Sequence, residues 1–506
     1  NGGSSTFWNT FIVSTDGTTV GVWATGASSL TLFNPNISTL VTSAILCDSA
    51  SILTIFNGSI VSSSSWKTPR DPTIISTGQN SIITAFSTHI KCVGSLCVAA
   101  AAFKRGLIVG TDVDVTSING SAGLMCDLDS TIVFSHGTVT SLNCTDAAIV
   151  INHGDVVVIN STISSSTVGV ILKGPKSVYI CNSTVKTDSY GFQLSDAISA
   201  EQNAVVIVSG GIVTSDSSVL HCVSTFCVFS MTNNAVVSST TNSLLFASAG
   251  SSVVISLSHS TATGSIDMNG GTVTVSIADG GVLTSTISSS SSSVVTISQG
   301  GTWVVPNSTS INLLSMNGTL MISSLTTKLT VTNTVSIERG AKLKVFVSKC
   351  SPGGQFTILS AGQLTGKFQE VELLPHGVNA TVIVAENSEI IVTNSHCLTC
   401  DQSTESCTRC HSGFGLTQDG SCSMCIDNTW SNGITACLPG PIHCHTSNHS
   451  NGKCSKCVPG FGINILLGIC EDCMISNSFS VDGVSPCLPC ESTVLGCRSC
   501  NSSNGV

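Results

Sequence analysis

The chain has 506 residues, 41% of them apolar and only 9% charged, with a formal net charge of −10. It can bury a core, but it carries no Lys/Arg stripe, which removes the electrostatic basis for binding nucleic acid. Val, Ile, Thr and Ser displace the usual helix formers, so strands and turns are expected throughout.

Twenty-five cysteines point to an oxidising compartment. Eleven Asn-x-Ser/Thr sequons point the same way: Asn36, Asn57, Asn119, Asn143, Asn160, Asn182, Asn307, Asn317, Asn379, Asn448 and Asn501. Each is weak evidence in a Ser/Thr-rich chain. Together with the cysteines they argue for a secreted or cell-surface glycoprotein. The longest apolar run, Leu96 to Phe103, stops at Lys104 and is far too short to span a bilayer. The start at Asn1 rather than Met fits a chain whose targeting segment was removed or never included.

Residues 1–40, with Trp8 and Trp23, follow no regular spacing and suit an N-terminal cap; Trp66 marks a similar departure. From there to residue 349 one unit recurs: a short alternating apolar strand, a polar or Gly turn, then another strand. It reads "IFNGSI" at Ile55, "FSHGTV" at Phe134, "INHGDV" at Ile151, "VINSTI" at Val158 and "IVSGGIV" at Ile207. It then tightens to "SIADGG" at Ser276, "TISQGG" at Thr296, "SMNGTL" at Ser315 and "SIERGA" at Ser336. Ile277 and Ile297 lie twenty residues apart. A period of about 20 residues made of strands and turns reads as a solenoid, in which stacked coils bury a face that no single coil can bury. Gly-Gly and Asn-Gly supply the positive φ that the corners need. Eighteen to twenty coils at a strand spacing of ~4.8 Å would form a rod of about 90 Å. The run Ser288–Ser293 then fits an outward face or an inter-coil loop, and a place for O-linked glycans.

Acidic and histidine groups in this body are the catalytic candidates. Asp112 and Asp114 alternate with valines and should share one outward face. Asp127 and Asp129 form a second pair, and His136, His153 and Asp155 a third group. The two histidines precede Gly at similar turns and should stack at a corner. No basic cluster accompanies them, so the reading is a solvated surface and no enzyme. The nonapeptide of calcium-binding β-rolls is absent, and no cofactor is expected. Among the body cysteines, Cys92 with Cys97 and Cys222 with Cys227 are spaced to staple short loops. Cys126 and Cys144, eighteen apart, are expected to bridge adjacent coils. Cys47, Cys181 and Cys350 are read as buried thiols.

The Gly-Gly-punctuated coils resemble the right-handed parallel β-helix of bacterial autotransporter passengers and related polymorphic surface proteins. "GGQFTILSAGQLTGKFQEVELLP", from Gly353 to Pro375, resembles the segment that closes many such passengers, and "ATVIVAENSEIIVT" follows as paired strands. The resemblance implies a C-terminal β cap over residues 350–396 that stops open-edge pairing.

Cysteine density then jumps. Residues 397–506 hold Cys397/Cys400, Cys407/Cys410, Cys422/Cys425, Cys454/Cys457, Cys470/Cys473, Cys487/Cys490 and Cys497/Cys500 as Cys-x-x-Cys pairs, with Cys437 and Cys444. Such pairs can also hold zinc, here four ions. The sequons and the few large apolar residues favour disulfides, because packing alone cannot fold this segment. The residues themselves leave the connectivity open. With "CHSGFGLTQDGSC" and "CVPGFGINILLGIC" the tail resembles furin-like, growth-factor-receptor-type cysteine-rich repeats, common in protist surface proteins. That resemblance implies bridges between neighbouring pairs. "CRSCNSSNGV" breaks off in mid-repeat, so the native chain is expected to continue.

The fold class expected is therefore all-β: a long parallel β-helix with a β cap, then a disulfide-rich, loop-dominated tail. The function expected is that of a structural subunit of an extracellular fibre, coat or appendage filament. Its partners would be further copies of itself or other surface glycoproteins, with no membrane span within 1–506. The rival readings are an adhesin or ligand-binding ectodomain and, behind it, a polysaccharide-active enzyme.

Overall fold

The computed structural model describes all residues except 1–2, 16–19, 41–42, 64–71, 96, 175–176, 188–197, 202, 224–225, 290–291, 348–353, 375–379, 386–388, 395–396, 402–405, 427, 475–477, 481, 491–500 and 503–506. It divides into two compact units. The first comprises 1–321, 327–343 and 360–370; the second comprises 322–326, 344–359 and 371–506. Among the described residues there are no helices, and the body is a parallel β-solenoid of about 14 turns.

In the lower part of the first unit each turn of chain lays down three strands, and higher up one long strand, such as Ser177–Thr187, covers two of the three positions. Ser4–Trp8, Phe11–Ser14 and Val22–Ala24 make the first rung. Ser29–Phe33, Asn36–Thr39 and Ile45–Asp48 lie directly upon them, parallel and in register. The same stacking continues up the unit. Alternation along each strand sends one residue into the core and the next outward, as in the buried/half-buried alternation of Ile82–Phe86.

Register turns this alternation into columns. One inward column runs Phe7, Leu32, Ile55, Ala85, Gly110 and Phe134. Small and large residues complement each other along it: a Cβ on Gly110 would sit 3.1 Å from the Phe134 ring. Higher up, the column passes through Ile277, Ile297, Met316 and Ile337. The twenty-residue Ile repeat is thus one ladder of side chains, with Met316 in the rung where the sequence lacks Ile.

The expected twenty-residue period holds only there. Thirty residues separate Ile52 from its stacked partner Ile82, twenty-four separate Thr131 from Asp155, and twenty separate Thr272 from Ser292. Longer coils mean fewer of them, which corrects the expected eighteen to twenty. Where an N-terminal cap is expected, the strands Ser4–Trp8, Phe11–Ser14, Ser29–Phe33 and Asn36–Thr39 pair in register with the strands above them. Trp66 lies outside the described residues.

The corners show why the recurrent unit ends as it does. Asn9, Asn34, Asn57, Ser87, Asp112, His136, Asn160 and Asn182 all adopt positive φ at the first corner of successive rungs. Each sits where only Gly, Asn, Asp and a few polar residues are at ease. At "SQGG" Gly300 supplies the positive φ, and a Cβ on Gly301 would lie 2.4 Å from the Ile277 carbonyl oxygen of the rung below. Of the serine run, Ser288 and Ser289 end the strand Ile287–Ser289, Ser292 and Ser293 begin the strand Ser292–Ile297, and Ser290 and Ser291 lie outside the described residues. Ser288 bonds Asp267, whereas Ser293 is buried and its N–H donates to Asn312 Oδ1.

The second unit contains the antiparallel pair Ala380–Ala385 with Glu389–Asn394 and then six short hairpins. The hairpins form two copies of one module. Cys397–Asp401 pairs with Ser406–Cys410, Phe414–Leu416 with Cys422–Met424, and Thr429–Trp430 with Leu438–Pro439. Cys444–Ser447 with Cys454–Cys457, Phe461–Asn464 with Ile469–Asp472, and Ser478–Phe479 with Leu488–Pro489 repeat the order.

Truncating Ile297 to Ala should leave a gap between Ile277 and Met316 and cost about 2–5 kcal/mol. Thr296→Ala, one residue along and facing outward, should stay within about 0.5 kcal/mol. Urea unfolding of the two variants checks this; equal costs would mean that the strand does not alternate as described.

Candidate functional site

The sequons follow the corners. Asn57, Asn160 and Asn182 stand on the first corner, and Asn119 and Asn143 take positive φ on the second. All five are exposed. The residue after the Asn explains the spelling. Ser161 Oγ donates to the Ile159 carbonyl at 2.7 Å, and Ser183 Oγ to that of Cys181 at 2.7 Å. Each serine ties the corner to its own rung; Thr162 then begins the next strand, and Thr184 stacks on it within the long strand Ser177–Thr187. A left-handed Asn, a buried Ser and a strand-forming Thr spell Asn-x-Thr for structural reasons alone. Asn36, Asn307, Asn448 and Asn501 are also exposed, Asn317 is half-buried with Oδ1 enclosed, and Asn379 lies outside the described residues.

The acidic candidates are dispersed. Asp112 occupies the first corner at positive φ, whereas Asp114 sits in the following strand, so they do not share a face as expected. Asp114 is held between rungs: His89 Nδ1 lies 3.1 Å away, and Thr138 Oγ1 donates to it at 2.7 Å. His136 and His153 do not stack on each other. His136 contacts Asn160 on the first corner at 3.2 Å, whereas His153 follows a different strand and lies 3.4 Å from Asp127. Asn152 also donates to Asp127, at 3.3 Å. Asp155 accepts the Ser177 N–H at 3.4 Å. Lys173 and Ser121 hold Asp146 in the same inter-rung manner, at 3.1 and 2.5 Å. These groups act as staples between neighbouring rungs.

The body cysteines split into two classes. Cys92–Cys97 and Cys222–Cys227 are bridged. Cys47, Cys126, Cys144 and Cys181 are free thiols. The expected Cys126–Cys144 bridge is therefore wrong, and register gives the reason. A coil here spans about two dozen residues, so Cys126 stacks on Ala102 and Ile151, while Cys144 contacts the Ser117 hydroxyl at 3.3 Å. Cys47 is buried, but Cys181 faces outward and is only half-buried. Cys350 lies outside the described residues. Burial pushes the Cys126 thiol up to about 12, with Asp155 and Asp127 adding to the effect. Burial likewise raises Cys47 to about 11, helped by Asp48 and opposed by backbone hydrogen bonds.

In the tail each module carries the same three bridges. Cys397–Cys407, Cys410–Cys422 and Cys425–Cys437 lock the first; Cys444–Cys454, Cys457–Cys470 and Cys473–Cys487 lock the second. Each of these six bridges joins successive cysteine groups, and none of the six closes a Cys-x-x-Cys ring. Cys490 is bridged as well. Cys497, Cys500 and the side chain of Cys400 lie outside the described residues. Two sulfur clusters have metal-like spacing, Cys397/Cys407/Cys422 and Cys444/Cys454/Cys470. Each arises where one bridge packs against the next: Cys422 and Cys407 are 3.4 Å apart, and Cys470 and Cys454 3.3 Å.

What the sequence reading missed is the exposed first rung. Phe7, bottom member of the inward column, is 49% exposed, although Leu32 above it is buried. Phe11, Val13 and Trp23 are exposed too, and a cavity of about 520 Å³ opens among Phe7, Ile12, Val22 and Leu32. Beside it four rings stack nearly parallel: Trp8 on Phe33 at 3.9 Å, Phe33 on Phe56 at 4.9 Å and Phe56 on Phe86 at 5.1 Å. The signal was an aromatic placed before the corner residue in "FWNT", "LFNP", "IFNG" and "AFST".

No protein-family model and no curated protein matches this chain. The disulfides are compatible with a secreted or extracellular protein. Among the described residues no helix is long and apolar enough to cross a membrane.

Iodoacetamide at pH 8 should spare Cys47 and Cys126 in the folded protein and label both in urea, as read by peptide mass spectrometry. Their folded values lie above the ordinary thiol value of 9.0. The stability this protonation contributes is therefore intact below pH 9 and lost as pH climbs towards 11–12. In the tail, strong reductant should expose residues 397–490 to protease while a chelator leaves them resistant, since each native bridge is worth about 2–5 kcal/mol. The reverse pattern would mean that metal holds the modules.

Proposed function

We propose that the protein is an extracellular structural glycoprotein, a subunit of a surface fibre, coat or appendage filament. The observation that carries this reading is the exposed first rung. Among the described residues no strand lies below its three strands, which leaves an open end of the apolar core and one face of Trp8 exposed at the end of a ring stack. A solenoid rung supplied by another subunit would satisfy all three at once: hydrogen bonds at the edges, side chains in the cavity and a ring or aliphatic group on Trp8. Such a contact is heterologous, and heterologous contacts that do not close generate filaments. The corner sequons support glycan rows along the solenoid surface, outside the stacking edges. The carboxylates are tied between rungs, which favours a surface that works by contact over one that performs chemistry.

Electron microscopy of native material tests this. Regular filaments are expected, and Phe7→Asp with Trp8→Asp should shorten or abolish them while the circular dichroism of the solenoid is kept. Isolated particles anchored on membranes, unchanged by these substitutions, would favour the adhesin or ectodomain reading instead.

A further inference from the structure

The two tail modules differ sharply at one place, the turn of the middle hairpin. In the first module it reads Thr417–Gln418–Asp419–Gly420. In the second it reads Asn464–Ile465–Leu466–Leu467–Gly468. Both turns are clamped in the same way: Cys407 N–H donates to the Gly420 carbonyl at 2.8 Å, and Cys454 N–H to the Gly468 carbonyl at 2.7 Å. Both glycines take positive φ, 75° and 71°. The apolar side chains are therefore not demanded by the hairpin, because a polar turn one residue shorter closes the matching hairpin forty-odd residues earlier.

The second turn is also rigid. Asn464 Oδ1 accepts the N–H groups of Leu466 and Leu467, each at 3.1 Å, and its Nδ2 donates to Glu471 Oε1 at 2.6 Å. The Cys457–Cys470 bridge closes the base. The result is a convex tip in which Ile465, Leu466 and Leu467 are 70%, 88% and 62% exposed. Leaving three adjacent aliphatic side chains in water is costly and points to a partner.

The flank changes as well. Where Ser406 packs on Gly420 in the first module, Lys453 packs its stem on Gly468 in the second. A cation set just behind an aliphatic tip matches the phosphate layer that overlies bilayer hydrocarbon. The tip also lacks the aromatic and Arg anchors that dominate protein–protein hot spots. A convex point needs a matching concave pocket on a protein, whereas fluid acyl chains mould to it.

We infer that the Ile465–Leu466–Leu467 tip inserts into the interface of a lipid bilayer, with Lys453 at the level of the headgroup phosphates. The site goes beyond the filament reading and does not depend on it.

Flotation of the full chain with phosphatidylcholine vesicles, with and without phosphatidylserine, tests this. The key variant gives the second turn the polar character of the first: Ile465→Thr, Leu466→Gln and Leu467→Asp together. The turn keeps its length and its disulfide frame, and resistance to protease checks folding. The wild type should float with both vesicle types, and the triple variant should lose at least about tenfold in bound fraction. Lys453→Ser should weaken binding to the phosphatidylserine vesicles more than to phosphatidylcholine alone. A wild type that stays unbound to both vesicles overturns the inference, as does a triple variant that floats equally well. If the triple variant instead changes the sedimentation of the protein without lipid, the tip is a contact between copies and the bilayer assignment falls. Filament formation is scored separately in lipid-free samples, so failure here leaves that reading standing.

Discussion

Everything in the solenoid depends on one constraint: each rung must lie in register on the rung below. Parallel backbone pairing fixes the spacing, and alternation then decides which side chains meet. A one-residue slip would send a whole core column into water. Register explains the continuity of the inward column through Ile277, Ile297 and Met316. It also explains the size complementarity of Gly110 with Phe134. The ring stack from Trp8 to Phe86 has the same cause on the outer surface.

The constraint acts on stacked positions and leaves coil length free. Extra residues are accommodated at corners without disturbing the columns, which is why coils of twenty and of thirty residues coexist. This freedom limits what spacing can reveal. Near Ile277 the coil is short and constant, so the ladder was legible from the repeat itself. Around Cys126 the coil is longer, and a separation of eighteen residues brings two cysteines to different sides of the core. The Asp112/Asp114 reading failed for a related reason: alternation was carried through a corner, where the left-handed Asp112 interrupts it. His136 and His153 look alike in sequence because corners look alike, yet a three-sided coil has three of them.

The sequons illustrate a different ambiguity. A corner that demands a left-handed Asn, a short hydrogen-bonding residue and a strand former writes the same letters as a glycosylation signal. Exposure at Asn57, Asn119, Asn143, Asn160 and Asn182 keeps both roles compatible, whereas the enclosed Oδ1 of Asn317 sets that position apart. In the tail the cysteine spacing was legible as a disulfide frame, but the Cys-x-x-Cys pairs disguised its period. Each pair marks a junction between hairpins, and the repeating object is a three-hairpin, three-bridge module. The repeated "GFG" was the visible trace: a Cβ on Gly415 or Gly462 would fall within 2.4 Å of the backbone nitrogen of Cys437 or Cys487.

A frame held by covalent bonds leaves its turns free to diverge. Where packing must stabilise a fold, an exposed Ile–Leu–Leu tip competes with the core for burial and invites misfolding. Where bridges close each short loop, the tip can change from Thr–Gln–Asp to Ile–Leu–Leu without altering the hairpin beneath it. A single aliphatic tip of this size binds a fluid surface weakly. Where several such tips are held together, each further tip binds at a raised effective concentration, so avidity can grow without any change at the tip.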